Sequence, residues 1–153
     1  MKKAYLLFAF VLCTFALISN AQTSEKDAVK VPLENYIKAH ATGDPEYARK
    51  AFHTEGNMIW IREGKVAMDS FDAFIKRAFT GKPAADEEKR KDKRTVESID
   101  IAGNAAIARI VLDYPNVKFV DYMTLLKING EWKIVNKSFY AESRQLTEAK
   151  KGQ

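Results

Sequence analysis

The second half of the chain alternates between apolar and polar residues in long segments separated by short turns, and this pattern limits the fold most strongly. Asn129-Gly130 has the composition of a two-residue β-hairpin turn, and Gly103-Asn104 is a second turn of hairpin type. The segments rich in β-branched and aromatic residues are Thr95–Ile101, Ala105–Tyr114, Val117–Ile128 and Trp132–Ala141. Four strands with such short connections predict an antiparallel meander.

The segment before this meander has helical periodicity. Ser24 has N-cap chemistry, but Pro32 fits only a first turn, so the spacing predicts a helix that starts nearer Val31. Gly43, Asp44 and Pro45 match a left-handed helix end, an N-cap and a first helical position. The apolar positions that recur at helical spacing are Val29, Leu33, Tyr36, Ile37 and His40.

Two further helices and a first strand are predicted between Asp44 and the meander. A short helix ends near Phe52, residues 57–62 form a strand, and an apolar stripe after Ser70 marks a third helix. The charged stretch 84–94 is predicted to be a solvated loop. Helices followed by a run of strands define the α+β class.

The N-terminus has the three parts of a secretory signal peptide. Lys2 and Lys3 precede the apolar run 4–18, and Ser19-Asn20-Ala21 places small residues at the −3 and −1 positions of a cleavage site. The run is shorter than the ~20 residues that span a bilayer, which argues against a membrane anchor. We therefore expect a signal peptide over residues 1–21, a domain over 22–142, a polar tail over 143–153, and a periplasmic or secreted protein.

Composition excludes several classes of function. Cys13 is the only cysteine and lies in the predicted signal peptide, so the mature chain has no disulfide, thiolate nucleophile or cysteine-ligated metal. The formal net charge is +5, and basic residues are mixed with acidic ones, which argues against nucleic-acid binding. Two histidines without clustered carboxylates argue against a metal site, and no cofactor is expected.

The order of elements resembles the nuclear transport factor 2-like superfamily, which includes ketosteroid isomerase and scytalone dehydratase. The resemblance covers about residues 29–142, and the runs that carry it are 36–44 (YIKAHATGD), 52–56 (FHTEG) and 121–140 (DYMTLLKINGEWKIVNKSFY). The last run resembles an exported branch known as putative lumazine-binding proteins. The resemblance implies helices packed on a strongly curved sheet that forms a cone with an internal pocket.

The resemblance to ketosteroid isomerase implies an incomplete catalytic set. Its chemistry uses a carboxylate base with a tyrosine and a protonated aspartate as an oxyanion hole. Tyr36 matches the tyrosine, and Asp121 lies within about one residue of the aspartate position. A shift of the strand register by one residue would point Asp121 away from the pocket and Tyr122 into it. The base position falls near Ile61, and Glu63 reaches it only with a different backbone.

The histidines offer a different chemistry, because the scytalone dehydratase type of site uses a histidine with an aspartate. His40 follows Tyr36 by one helical turn and could face the pocket as a general base, or it could cap its helix or sit in the core. His53 is predicted to lie in a loop after a helix, with a surface or capping role.

Two aromatic residues and three charged ones complete the candidates. Trp60 and Tyr140 could stack on a flat ligand or simply pack in the core. Three charged side chains could bind an anion inside the cone or, as we expect, form ion pairs on its convex face; these are Arg109, Asp113 and Lys137. In related folds that face forms a dimer, and the residues predicted to suit a homodimer are Tyr122, Val135 and Phe139.

Three hypotheses for function follow from these residues. The favoured one is an exported protein that binds a small ligand through the residues Tyr36, His40, Trp60, Asp121 and Tyr140. The second is a lyase or isomerase with His40 as base and Tyr36 or Asp121 as electrophilic partner. The third is a domain that only dimerises or docks a partner.

Overall fold

The computed structural model describes residues 24–144, so the predicted signal peptide and most of the predicted tail lie outside the described residues. Three helices, α1 to α3, are 24–42, Pro45–Ala51 and Phe71–Ala78. Six strands, β1 to β6, are Phe52–Arg62, Lys65–Ser70, Arg94–Ala102, Ala105–Asp113, Val117–Ile128 and Glu131–Ser143. A 3₁₀ turn, Glu87–Lys89, interrupts the charged loop.

The strands form one open, mixed sheet in the order β2-β1-β6-β5-β4-β3. The pair β1–β6 is parallel, and the other four pairs are antiparallel. The meander β3 to β6 is the one predicted, with Asn129 and Gly130 forming the last hairpin. The α+β class is therefore confirmed. None of the helices within residues 24–144 is long and apolar enough to cross a membrane.

The helices bury their apolar stripes against one face of the sheet. Val29, Leu33 and Tyr36 of α1 are fully buried, and Trp132 on the facing strand β6 is 5% exposed. The prediction that α1 starts near Val31 is wrong, because helix continues from residue 24 through Pro32. Pro32 removes one helical hydrogen bond. Burial of the apolar side chains before and after Pro32 stabilises the helix enough to offset this loss.

Gly43 and Asp44 connect α1 to α2 as the sequence predicts. Gly43 has φ +69° and donates its N–H to the Ala39 carbonyl at 2.8 Å, which ends α1. The Asp44 carboxylate accepts from the Glu46 N–H at 2.9 Å, and Pro45 is the first residue of α2. Ser70 caps α3 in the same way through the Ala73 N–H.

Strand β1 begins earlier than predicted, directly after α2 at Phe52. His53 consequently lies on a strand and not in a loop. The pairing of β1 with β6 is irregular between Phe52 and Asn57. Gly56 lies in this irregular part, where a Cβ atom would be 2.5 Å from the Phe71 ring and 2.8 Å from the Val135 carbonyl oxygen. Glycine therefore lets β1 approach both α3 and β6 closely.

A β-bulge in β6 decides which of its residues face the helices. Leu125 pairs with Ile134 and Thr124 pairs with Asn136, so Val135 is the extra residue. A bulge of one residue reverses the alternation of side chains beyond it. Trp132 and Ile134 point inward before the bulge, and Lys137 and Phe139 are the inward residues after it.

The opposite face of the sheet carries several exposed apolar side chains. Tyr122 is 55% exposed and Tyr140 is 66% exposed, and Ile107 of β4 is exposed on the same face. The prediction that Phe139 belongs to this face is wrong because of the bulge. Val135 is half-buried at the bulge itself.

Candidate functional site

Three polar side chains meet in the interior between α1 and the sheet, and they form the buried cluster Tyr36–Asp121–Lys137. The Tyr36 hydroxyl donates to Asp121 Oδ2 at 2.7 Å and accepts from Lys137 Nζ at 2.8 Å. Lys137 Nζ also lies 2.9 Å from Asp121 Oδ2. Tyr36 and Asp121 are 0% exposed and Lys137 is 4% exposed, so the charges are compensated within the protein.

Each member of the buried cluster is held by a different element. Tyr36 lies on the sheet-facing side of α1. Asp121 of β5 pairs with Phe139, while Lys137 of β6 pairs with Met123, so the two charged residues are diagonal neighbours on adjacent strands. The one-residue slip considered for β5 does not occur: Asp121 points inward and Tyr122 outward.

The surroundings of Tyr36 favour its neutral form. Burial, followed by the charge and hydrogen bond of Asp121, raises the pKa of the Tyr36 hydroxyl well above its ordinary value. Tyr36 therefore acts as a hydrogen-bond donor to Asp121. Asp121 Oδ1 is buried and has no hydrogen-bond partner among residues 24–144, which leaves one acceptor of the cluster unused.

His40 lies next to this cluster, one turn along α1. Its ring contacts the Tyr36 ring edge-on, with centroids 4.7 Å apart, and the Phe79 ring with centroids 5.1 Å apart. Burial, with the positive charges of Lys137, Arg94 and Arg90, holds the pKa of His40 well below its ordinary value, so the imidazole is neutral. Its Nε2 atom is buried without a hydrogen-bond partner in the described part of the chain.

A pocket of about 380 Å³ opens beside the buried cluster. Most of its walls are apolar, and we call it the cone pocket. It is lined by Tyr36, His40, Met58, Trp60, Ile61, Arg62, Phe74, Arg77, Leu112, Phe119, Lys137, Phe139 and Ala141. A volume of this size and a mainly aromatic wall with a few polar groups are typical of small-molecule sites.

Two aromatic rings form one wall of the cone pocket. Trp60 of β1 and Phe139 of β6 stack with centroids 5.5 Å apart and an angle of 29° between the rings. The Arg62 guanidinium carbon lies 5.1 Å from the centre of the Trp60 ring, toward the exposed end of β1. This arrangement offers flat apolar surface with a positive charge at its edge.

The charged lining of the cone pocket is basic. Lys137, Arg62 and Arg77 line it, and no lining residue within 24–144 carries a carboxylate. Arg77 is held by Asp69, whose Oδ2 lies 2.6 Å from Arg77 NH1, and Lys137 is held by Asp121 from behind. The exposed polar atoms therefore favour a ligand with an anionic or carbonyl oxygen.

A second ion pair, between Arg94 and Glu87, lies next to His40 at the C-terminal end of α1. The Arg94 side chain is buried, and it donates twice to the Glu87 carboxylate, at 2.7 and 2.6 Å, and once to the Tyr114 hydroxyl at 2.8 Å. The same guanidinium lies 3.4 Å from the His40 carbonyl oxygen. Part of the charged loop is thus not simply solvated, because its Glu87 holds Arg94 against the end of α1.

The structure brings together three of the five residues predicted to bind a ligand. Tyr36, His40 and Trp60 line the cone pocket, and Asp121 lies directly behind Tyr36 and Lys137. Tyr140 lies on the opposite face of the sheet, away from the pocket. Phe139 replaces it, because the bulge at Val135 exchanges the two faces.

Of the three charged residues predicted for the convex face, two are partly exposed and one is buried. Arg109 contacts Glu97, and Asp113 contacts Arg144, so these two form ion pairs at partly exposed positions. Lys137 is inside, and the expectation that it lies on the convex face is wrong for the same reason as for Phe139. The sequence analysis named Lys137 as a candidate for the interior but preferred the wrong face of the sheet.

Neither residue considered for a catalytic base on β1 supplies a carboxylate to the cone pocket. Ile61 is apolar and lies at the exposed end of β1, and Glu63 lies in the exposed β1–β2 turn with φ +51° and does not line the pocket. Among residues 24–144 no group of three metal-binding side chains is close enough to hold an ion. The chemically reactive groups in the pocket wall are an amine, a phenol and a neutral imidazole, and the Asp121 carboxylate lies directly behind the first two.

The fold and its pocket define a nuclear transport factor 2-like protein. Similar solved structures include such a protein of unknown function from Shewanella baltica, with a TM-score of 0.70 and 24% identity over 80% of this chain and 97% of that one. Another, from Methylobacillus flagellatus, has a TM-score of 0.66 and 28% identity over 78% and 94% of the two chains.

The chain belongs to the family described as putative lumazine-binding, whose sequence profile matches residues 24–140. A curated relative is the aldolase FrzH from Cladobotryum sp., which is 27% identical over 128 residues, 80% of this chain and 95% of the relative. The family resemblance inferred from sequence is thereby confirmed.

Proposed function

We propose that this protein binds a small, flat, partly apolar ligand in the cone pocket and does so outside the cytoplasm. The observation that carries the proposal is the Trp60–Phe139 stack beside the buried amine of Lys137. A ring held on this wall can direct a carbonyl or anionic oxygen to Lys137 Nζ. The family description is consistent with such a ligand. Export rests on the signal-peptide pattern of residues 1–21.

The shape of the site supports binding by preformed contacts. Phe139 also lies near Phe119, with centroids 6.2 Å apart, so the aromatic wall is braced by a neighbour on β5. Lys137 is fixed by two hydrogen-bonding partners and does not have to be ordered when a ligand arrives. Such preorganisation reduces the entropy lost on binding.

A pocket-blocking variant tests the proposal. Ala141 lines the cone pocket at the exposed end of β6, so Ala141→Trp fills the opening without entering the core. We expect the fluorescent probe 8-anilinonaphthalene-1-sulfonate, which is flat and anionic, to bind Ala141→Trp at least about tenfold more weakly than the wild type in a fluorescence titration.

Ala102→Trp is the matched control, because Ala102 is exposed at the end of β3 and does not line the pocket. It should bind the probe like the wild type. Equal affinity in all three proteins would mean that the probe binds elsewhere, for example on the apolar outer face of the sheet, and would count against the cone pocket as the site.

An enzyme is the second candidate function, and the aldolase relative favours it. In this version neutral His40 removes a proton from the ligand, and the Tyr36 hydroxyl donates to the ligand oxygen that gains charge. In the resting protein this hydroxyl donates to Asp121 at 2.7 Å, so it must turn from Asp121 to the ligand oxygen during the reaction. Turnover of an aldol or dehydration substrate that is lost in His40→Asn would favour the enzyme over a binding protein.

We also propose that two copies associate through the outer face of the sheet. Exposed Ile107, Tyr122 and Tyr140 lie on this face and supply apolar area. A homodimer of this kind leaves the cone pocket open, because the pocket lies on the opposite side of the sheet.

A further inference from the structure

The side chain of Lys137 is a primary amine enclosed by apolar walls at the base of the cone pocket. We propose that Lys137 forms a reversible imine with an aldehyde or ketone that enters the pocket, an inference that rests on the proposed ligand-binding function. Lysine amines in desolvated sites are the nucleophiles that proteins use for carbonyl compounds. The structure supplies the further groups that this reaction needs.

Asp121 is placed to accept the proton that the ammonium group must lose before it can attack. Its Oδ2 lies 2.9 Å from Lys137 Nζ, and its Oδ1 is the buried acceptor that has no partner among residues 24–144. One carboxylate oxygen therefore holds the amine while the other can receive a proton.

Tyr36 is placed to donate a hydrogen bond, and then a proton, to the carbonyl oxygen. Its hydroxyl lies 2.8 Å from Lys137 Nζ, and its ring is part of the pocket wall. An oxygen that develops negative charge next to the attacked carbon lies within reach of this hydroxyl, which donates to Asp121 in the resting protein. In the buried cluster Lys137 is thus the nucleophile, Asp121 the base and Tyr36 the acid.

The reaction balances with these groups and one released water. Lys137 transfers a proton to Asp121, the nitrogen lone pair forms a bond to the carbonyl carbon, and the C–O π electrons move to oxygen, which takes a proton from Tyr36. The positively charged nitrogen returns a proton to the Tyr36 oxygen, which gives the neutral carbinolamine. Protonated Asp121 then gives its proton to the hydroxyl group, which leaves as water while the nitrogen lone pair forms the C=N bond of a protonated imine. Hydrolysis reverses every step, and no oxidant or reductant is consumed.

Neighbouring groups set the environment of this amine. His40 lies beside Tyr36, its Nε2 has no hydrogen-bond partner in the part of the chain that the structure describes, and it can relay a proton to or from the departing water. The aromatic rings of Tyr36, Phe74 and Phe139 lie 5.2, 5.5 and 4.8 Å from Lys137 Nζ. They limit access to one side, from which a flat carbonyl compound enters.

Reductive trapping with benzaldehyde tests the proposal. Benzaldehyde is flat and fits an aromatic wall, and sodium borohydride converts its imine into a stable benzylamine. At limiting aldehyde we expect peptide mass spectrometry of the wild type to find the benzyl group on Lys137 at least about tenfold above any other lysine. Exposed lysines such as Lys76 serve as controls within the same molecule.

Two variants make the result specific. Lys137→Arg keeps the positive charge but cannot form the imine under these conditions, so the selective label should disappear. Ala141→Trp blocks the opening and leaves Lys137 in place, so it should lose the label even if Lys137→Arg folds poorly. Labelling of Lys137 no faster than that of exposed lysines, or undiminished labelling in Ala141→Trp, would overturn the proposal.

The same samples separate the two proposals. Each is also titrated with 8-anilinonaphthalene-1-sulfonate. If benzaldehyde displaces the probe from the wild type but leaves no benzyl group on Lys137, the imine is excluded and ligand binding stands. If neither probe nor aldehyde binds the cone pocket, the proposed function fails together with the imine.

Discussion

Lys137→Met is expected to lower the free energy of unfolding by about 3–5 kcal/mol, because it leaves a carboxylate buried without its countercharge. Asp121 is 0% exposed, and after the substitution its Oδ2 retains only the Tyr36 hydroxyl as a neutral donor. A domain of this size has a total stability of about 5–15 kcal/mol, so the loss is a large fraction of it. Urea unfolding followed by circular dichroism measures the change.

Two controls identify the cause of this loss. Lys76→Met removes a lysine from an exposed ion pair with Asp72 and should cost at most about 1 kcal/mol. The double variant Lys137→Met with Asp121→Asn should be more stable than Lys137→Met alone, because a neutral amide requires no countercharge and can still accept from Tyr36. A Lys137→Met protein as stable as Lys76→Met would show that the pair is not buried as described.

Gly43→Ala is the second substitution expected to have a large effect, of about 3 kcal/mol or more. Gly43 has φ +69°, and an added Cβ would lie 1.8 Å from the Lys82 carbonyl oxygen. That oxygen belongs to the loop after α3, which also bonds to Gly43 through the Gly81 N–H at 2.8 Å. The loop must move away, and Phe79, which contacts His40, lies beside it.

Gly103→Ala separates the backbone strain from the clash. Gly103 has φ +61°, but no atom of residues 24–144 lies within 4 Å of the added Cβ, so only the strain of about 1 kcal/mol is expected. Thermal unfolding of both variants gives the comparison. Equal losses in the two would contradict the close packing of the residue 81–82 loop on Gly43.

The local features of this fold could be predicted because their signals lie within a few residues. Gly43, Asp44 and Pro45 specify a helix end and the next helix start through backbone φ and capping chemistry, and both were found. Asn129-Gly130 specifies a hairpin in the same way. Tyr36 and His40 face the same pocket because they are one helical turn apart.

The inward position of Lys137 could not be predicted, because it depends on a contact between distant parts of the chain. Residues 134–136 contain no proline or glycine and read as regular strand, so simple alternation from Trp132 places Tyr140 inside and Lys137 outside. The bulge at Val135 reverses this order. The sequence does contain one signal: Gly56, a glycine just before the predicted strand 57–62, allows the close approach of the Val135 carbonyl.

We propose that the cone pocket holds a small ligand between the aromatic wall and the buried amine. A crystal structure of the protein grown with 8-anilinonaphthalene-1-sulfonate measures this most directly. We expect density for the naphthalene ring against Trp60 and Phe139, with an oxygen of the sulfonate within hydrogen-bond distance of Lys137 Nζ. Aromatic side chains that fill the pocket, with the probe bound only on the outer sheet face, would contradict the claim.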